Sequence, residues 1–205
     1  MEISLRAALT LRRNDLLMFE KDKDIALSKL LTAKDKGEAD ALVSNLVDAI
    51  NESDSYYTTS SCSGRIVVAQ ADEDNKKSSF SFLGKWHEAV TLSAVEDAIG
   101  RYKGGVLWFK FEPMILHVCC RDIDSASRFL ETVYRGGFKR SGVYQLKGKI
   151  MVEVHGTSGF SVPAGSGEIL IVNDKYLGFL VDFANLKMRQ NREKIRALES
   201  VLKKG

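Results

Sequence analysis

Four segments of the 205-residue chain gather side chains that can do chemistry. The first, Tyr57-Thr58-Thr59-Ser60-Ser61-Cys62-Ser63-Gly64-Arg65, reads as a tight turn between two strands. Backbone N–H groups and hydroxyls would converge there, and Arg65 adds a fork suited to a carboxylate or phosphate. Turn geometry alone can explain Ser and Gly, but the density of hydroxyls, thiol and guanidinium exceeds what a turn requires. No His or basic residue precedes Cys62 closely, so it reads as a packing residue rather than a nucleophile. The second segment is Lys85-Trp86-His87-Glu88, where His87 is a candidate base and Trp86 a stacking surface. A helix cap or a surface ion pair would use the same residues. The third runs from Leu107 to Arg121 and holds Trp108, Lys110, Glu112, His117, Cys119 and Cys120. Strand parity puts Ile115, His117, Cys119 and Arg121 on one face. A loop at Glu112-Pro113 would set Lys110 and Trp108 opposite Ile115 and His117. A guanidinium beside His117 would disfavour its protonation and keep it available as a base, although a core His bonded to a carbonyl is the plainer alternative. The fourth, Gly136-Gly137-Phe138-Lys139-Arg140-Ser141-Gly142, is a helix end leading into a strand through cations that suit an anionic ligand.

No metal site is expected. Cys62, His117, Cys119 and Cys120 lack CxxC spacing, and adjacent cysteines in a strand point to opposite faces. Neither a GxGxxG turn nor a Walker sequence occurs, so a Rossmann dinucleotide site is not indicated.

The elements that must position these residues follow from periodicity. Residues 9–35 read as a helix through Leu9, Leu16, Leu17, Ile25, Leu27, Leu30 and Leu31, which the charged run 20–24 can break. Gly37 stops it, and 38–51 is a second helix with Leu42, Leu46, Val47 and Ile50 inward. Strands are expected at 56–59, 66–69, 80–86, twice within 106–121, at 138–145 and 149–155, and once or twice in 158–172. Residues 72–79 form a polar loop. Helices at 92–101 and 125–134 separate the strands, the latter with Asp122 or Asp124 as cap and Gly136 past its end. A long basic helix from about Lys175 closes the chain on Leu186, Ile195, Leu198, Val201 and Leu202. The fold class is α+β, with a mixed, largely antiparallel sheet, helices packed on it, long terminal helices and a hint of internal hairpin/helix duplication. The chain reads as a single domain over 1–205, with 1–52 an N-terminal helical pair and 175–205 a C-terminal basic helix.

Hydrophobic residues make 44% of the chain, too many for disorder to be the main state. No run approaches a membrane span, and the first residues lack a signal-peptide core, so a cytoplasmic location is expected. Overall charge is +3, but 183–205 holds 7 basic and 2 acidic residues. Arg135, Lys139, Arg140, Lys147 and Lys149 fall in a segment without acid, interleaved with Phe138 and Tyr144. Cations for phosphate and rings for bases suit a single-stranded nucleic acid, while lysines on an exposed strand pair would do no more than keep it soluble.

Three motifs in order carry a resemblance: Tyr57 to Ile66, Lys110 to Val118 with Cys120-Arg121, and Gly137 to Val143. Together with Tyr176-Leu177, Ala184-Asn185 and Asn191 they resemble the tRNA wybutosine-synthesising protein 3 family over roughly Ile25 to Leu202. Two departures accompany the resemblance. Trp86 is followed directly by His87 where the family has several intervening residues, and its Asp-Lys-Ser-x-Lys-Gly appears only as 33–37.

The resemblance implies an S-adenosylmethionine-dependent methyltransferase acting at N-4 of a 4-demethylwyosine-type base beside the anticodon of tRNA(Phe), on a fold that is not Rossmann, from an archaeal or eukaryotic source. Under it, His117 is the first candidate base and His87 the second. Ser60, Ser61, Cys62, Ser63, Gly64, Arg65 and Glu112 are expected at the cofactor, with a tRNA phosphate as the other occupant of the Ser/Arg segment. Lys85, Trp86, Trp108, Arg121, Lys139, Arg140, Ser141 and Gly142 are expected at the tRNA. The competing expectation is a non-catalytic RNA-binding module.

Overall fold

The computed structural model describes residues 2–74 and 79–204, with side chains from Leu16 onward. Part of the loop expected at 72–79, and the Leu9 side chain assigned to the first helix, lie outside the described residues. The helices are α1 (Glu2–Asp35), α2 (Ser44–Asn51), α3 (Leu92–Ile99), α4 (Ile123–Arg135) and α5 (Asp174–Leu202). The strands are β1 (Tyr56–Ala71), β2 (Ser81–Trp86), β3 (Val106–Cys120), β4 (Gly142–Gln145), β5 (Ile150–His155), β6 (Phe160–Ser166) and β7 (Ile169–Leu170). Among the described residues these seven form one sheet in the order β2-β1-β3-β5-β4, with β6 on β3 and β7 on β6. Antiparallel pairing sets Ile66 opposite Trp86, Phe111 opposite Phe160 and Gly142 opposite Glu153. The fold is therefore α+β and largely antiparallel, as expected, and it is not a Rossmann fold.

The chain forms two compact units. Unit 1 comprises residues up to Ser61, Leu116–Val154 and Ala197 onward; unit 2 comprises Cys62–Ile115 and His155–Arg196. In unit 2, α5 lays Leu177, Leu180, Val181, Ala184 and Met188 along one stripe, the spacing of a single helix face. They pack with Ile66 and Val68 of β1, Leu107, Phe109 and Phe111 of β3, and Val95, Ala98 and Ile99 of α3. Burying each large side chain is worth roughly 1.5–3 kcal/mol. In unit 1, Leu46, Val47 and Ile50 of α2, Phe129 and Val133 of α4, and Val152 and Val154 of β5 are all buried. Phe19 of α1 packs with Tyr57, Cys119 and Met151. Among the described residues, no helix is long and apolar enough to cross a membrane.

Several local expectations are corrected. The Ser-rich segment is not a turn, because β1 runs without interruption from Tyr56 to Ala71. Side chains partner the polar positions of this strand, and Gly64, at φ +101°, absorbs the irregularity that a turn was expected to supply. Nor does Glu112-Pro113 make a hairpin, since β3 is one strand through it. Pairing of β3 with β6 ends at Phe111 opposite Phe160, β5 ends at His155, and Pro113 falls in the gap. On the side of β5 and β6, the N–H that proline lacks thus has no ladder partner to miss. A Cβ on Gly156 would come within 2.7 Å of the Pro113 ring and one on Gly159 within 2.8 Å, which fixes both as glycine. Burial alternates through Leu107, Phe109 and Phe111 and then changes phase to Met114, Leu116 and Val118 at this proline.

The charged run 20–24 leaves α1 unbroken, and Lys23 within it is buried and donates its ammonium to the Ser53 carbonyl at 2.5 Å. Residues 38–51 contain a short 3-10 turn, Ala41–Val43, before α2; the Asp40 carboxylate caps it by accepting from Leu42 N, and the Leu42 side chain is exposed rather than inward. Leu16, Leu17, Ile25, Leu31 and Leu186 are likewise exposed rather than inward. Phe138 precedes β4 instead of belonging to it.

Candidate active site

The first centre lies in unit 1. Ser60 stands exposed on β1, His117 alternates on β3 with buried Leu116 and Val118, and Glu153 lies on β5 between buried Val152 and Val154. Burying the apolar neighbours turns His117 and Glu153 to the other face of their strands, where Ser60 meets the imidazole from β1. His117 Nδ1 is 2.7 Å from Ser60 Oγ, and its Nε2 is 3.0 Å from Glu153 Oε2. A carboxylate only accepts, so the neutral tautomer that satisfies both contacts is the one with its proton on Nε2 and the Nδ1 lone pair toward the Ser60 hydroxyl. The Thr59 hydroxyl donates to the His117 carbonyl at 3.3 Å, fixing the backbone beneath the ring. Tyr144 of β4 makes a T-shaped contact with the imidazole at 5.2 Å between ring centres and is 54% exposed.

The second centre lies in unit 2 around Gly64. A Cβ there would meet the Glu112 carbonyl at 2.9 Å, Asn191 Nδ2 at 3.0 Å and the Met114 N–H at 3.1 Å. Asn191, buried on α5, donates Nδ2 to the Ser63 carbonyl at 2.6 Å and accepts from Met114 N at 3.0 Å. One amide side chain thus joins β1 to β3 where Gly64 and Pro113 interrupt their regularity. His87 donates Nδ1 to the Gly64 carbonyl at 3.1 Å and lies 3.9 Å from Cys62 Sγ, while Arg192 donates to the His87 carbonyl. A histidine does therefore face Cys62, delivered from beyond β2 and not from the neighbouring sequence. Arg65 Nε donates to Glu112 Oε2 at 2.6 Å, the two side chains being 30% and 38% exposed. The Arg65 guanidinium and the Lys85 ammonium both lie over Phe82.

The remaining expected residues fall in different places. Arg121 does not flank His117; it pairs with Glu20 of α1 and with the Asp54 carbonyl, because the chain turns into α4 just after it. Trp86 lays its ring over Gly84 and packs on the unit 2 core. Trp108 sits beneath the Lys110 ammonium. Lys139 and Arg140 are exposed between α4 and β4, whereas Ser141 is buried, its carbonyl accepting from the Tyr134 hydroxyl. Ser61 is half-buried in unit 1, and Gly142 opens β4. Cys119 and Cys120 are both buried.

Residue-by-residue reading missed Glu153 and the contact between Tyr144 and His117, although Tyr144 was expected as a ring for bases. Glu153 is the first acid after an acid-free basic segment and lies between two valines, a pattern that marks a half-buried strand but names no partner. Asn191 entered only through the resemblance, and nothing in its helical surroundings signals that it joins two strands.

Comparison with known proteins completes the description. The sequence pattern of the family described as Methyltransferase TYW3 matches residues 21–204. A Thermococcus sibiricus protein named tRNA(Phe) 7-((3-amino-3-carboxypropyl)-4-demethylwyosine(37)-N(4))-methyltransferase is 37% identical, over 92% of this chain and 98% of its own length. A zebrafish protein named tRNA wybutosine-synthesizing protein 3 homolog is 35% identical, over 90% of this chain and 74% of its own. A solved Pyrococcus horikoshii structure superposes with a TM-score of 0.85 at 37% identity, covering 90% of this chain and 95% of that one.

Proposed function

The chain belongs to the methyltransferase TYW3 family, and from that premise we propose that it methylates N-4 of a 4-demethylwyosine-type base, such as the aminocarboxypropyl derivative, in tRNA(Phe). This is a step of wybutosine biosynthesis. The observation that carries the reading is the match to named methyltransferases over nearly the full length of both chains. The methyl donor is S-adenosylmethionine, and the anticodon loop is the part of the tRNA engaged.

The donor set in unit 2 fits such a group. Arg65 and Glu112 stand side by side and partly exposed, and a guanidinium next to a carboxylate complements a zwitterionic amino-acid end. Arg65 and Glu112 would hold that end, and Ser61, Cys62, Ser63 and Gly64 give the strand that carries Arg65 its course. The donor supplies a methyl carbon on a sulfonium sulfur, electrophilic enough that alignment and exclusion of water account for most of the acceleration. His117 is the base on which the charge of the proton lost by the accepting nitrogen comes to rest; His87, already donating from Nδ1 to a carbonyl, is the second candidate. Tyr144 offers its exposed ring to the tricyclic base, a role expected for Trp86 or Trp108, and Lys139 and Arg140 meet tRNA phosphates. The base already lies in a single-stranded loop and costs less to extrude than a paired one.

The test uses labelled S-adenosylmethionine with two forms of tRNA(Phe). Label should pass to tRNA carrying the tricyclic base and not to tRNA carrying guanosine there. Tight tRNA binding without transfer would instead support the binding-module reading.

A further inference from the structure

Resting on the methyltransferase reading, the unit 1 centre raises a question of access. Both ring nitrogens of His117 are already engaged, Nε2 by Glu153 at 3.0 Å and Nδ1 by Ser60 at 2.7 Å. The imidazole is also largely covered, with 26% of its side chain exposed and Tyr144 against it. Ser60, by contrast, is exposed. A base approaching this face meets the Ser60 hydroxyl before it meets either nitrogen.

We propose that Ser60, expected from sequence at the cofactor, is instead the catalytic residue that touches the accepting nitrogen, and that Ser60, His117 and Glu153 form a proton relay. Glu153 is a positioning residue. Its acceptor-only carboxylate holds the proton on Nε2 and leaves Nδ1 as the acceptor of the serine O–H. With that hydrogen committed to Nδ1, the lone pairs of Ser60 Oγ are left to accept from a substrate N–H. As the nitrogen gains its bond to the methyl carbon, the carbon–sulfur bond of the donor breaks and its electron pair stays on sulfur as a neutral thioether; the nitrogen's bond to hydrogen breaks and that proton passes to Ser60 Oγ. The proton Ser60 already held moves to His117 Nδ1. The unit of positive charge brought by the donor thus ends on an imidazolium facing the Glu153 carboxylate, and Ser60 is regenerated as a neutral alcohol. No oxidant, metal or further co-reactant is needed. The arrangement follows the logic by which an acid orients an imidazole and the imidazole activates a hydroxyl, but the hydroxyl passes on a proton and forms no bond to carbon.

The experiment compares the whole protein with its Ser60→Ala, Ser60→Thr and Glu153→Gln variants. In the protein alone, nitrogen NMR of labelled histidine should find His117 protonated at Nε2, and Glu153→Gln should blur that preference into a mixture of tautomers. With tRNA carrying the tricyclic base and saturating S-adenosylmethionine, Ser60→Ala should slow single-turnover transfer about 100-fold, within the range of a lost acid–base group. Calorimetric affinities for donor and tRNA should stay unchanged, and Ser60→Thr, which restores a hydroxyl, should recover most of the rate. Weakened donor binding in Ser60→Ala with an unaltered saturated rate would overturn the relay and return Ser60 to the cofactor. A His117 protonated at Nδ1 would overturn it as well. Full-rate transfer by Ser60→Ala defeats the relay alone, whereas no transfer by the unmodified protein defeats the methyltransferase reading beneath it.

Discussion

Burial decides which reactive side chains are available for chemistry. The Cys120 thiol is pushed up to about 12, chiefly by burial and then by Cys119 and Asp122 beside it. Cys119 is also raised, again first by burial, although Tyr57 and Lys149 act the other way. Neither is a thiolate at neutral pH, and the thiolate is the reactive form. A maleimide reagent followed by mass mapping should therefore modify half-buried Cys62 first and the other two only on unfolding; prompt labelling of Cys119 would contradict their burial. His117 is reachable through Ser60, which is why it carries the chemical argument. His117→Ala should lower the single-turnover rate by about 100-fold or more while leaving the tRNA affinity in place. An unchanged rate would remove it as the base.

Elements place these groups through a few polar joints. Asp122 caps α4, its carboxylate accepting from Ser125 N at 2.7 Å, and the hydrogen bonds from Ser125 hold its carboxyl below the ordinary Asp range. The stability from this cap is present above the unfolded-state Asp value of about 3.9 and is lost as pH falls through the lower folded value. Asp122→Ala should cost about 1 kcal/mol in denaturant unfolding at neutral pH, with the deficit vanishing in strong acid. The second joint is Asn191. Its removal takes a donor from the Ser63 carbonyl and the acceptor from the buried Met114 N–H, so Asn191→Ala should cost roughly 2–3 kcal/mol. A loss of only a few tenths, read from the denaturant midpoint, would show that the joint is not needed. These joints also explain what the sequence left hidden. The helices 92–99, 123–135 and 174–202 and the β4–β5 hairpin at Lys147-Gly148 were legible because caps, periodicity and turn glycines are local signals. The two long strands were not, because Ser-Gly and Glu-Pro are local turn signals that long-range partners overrule: Asn191 at one, Gly156 and Gly159 at the other. His117 was legible from strand parity, but Glu153, thirty-six residues further along the chain, was not, because only strand pairing brings them together.

Over the whole molecule, charge and chain path set the remaining expectations. Lys139 and Arg140 are exposed, and the last stretch, 183–205, carries 7 basic and 2 acidic residues. If they neutralise tRNA phosphates, replacing Lys139 and Arg140 by Ala should weaken binding and flatten the dependence of log affinity on log salt by about 0.7–0.9 for each phosphate no longer neutralised. An unchanged slope would place the tRNA elsewhere. Because β1 and β3 each contribute residues to both compact units, we propose that the chain unfolds as one domain. Calorimetric and van't Hoff enthalpies should then agree, and two separate transitions would show that the units melt independently. The central claim concerns a single atom of a single base. Its most direct test is nucleoside mass spectrometry, with the methyl position mapped, on tRNA(Phe) bearing the 4-demethylwyosine-type base after incubation with the protein and S-adenosylmethionine. The account predicts one added methyl group on N-4 of that base and none on tRNA that still carries guanosine at the same place; an unmethylated tricyclic base, or a methyl group found on another nucleoside, would contradict it.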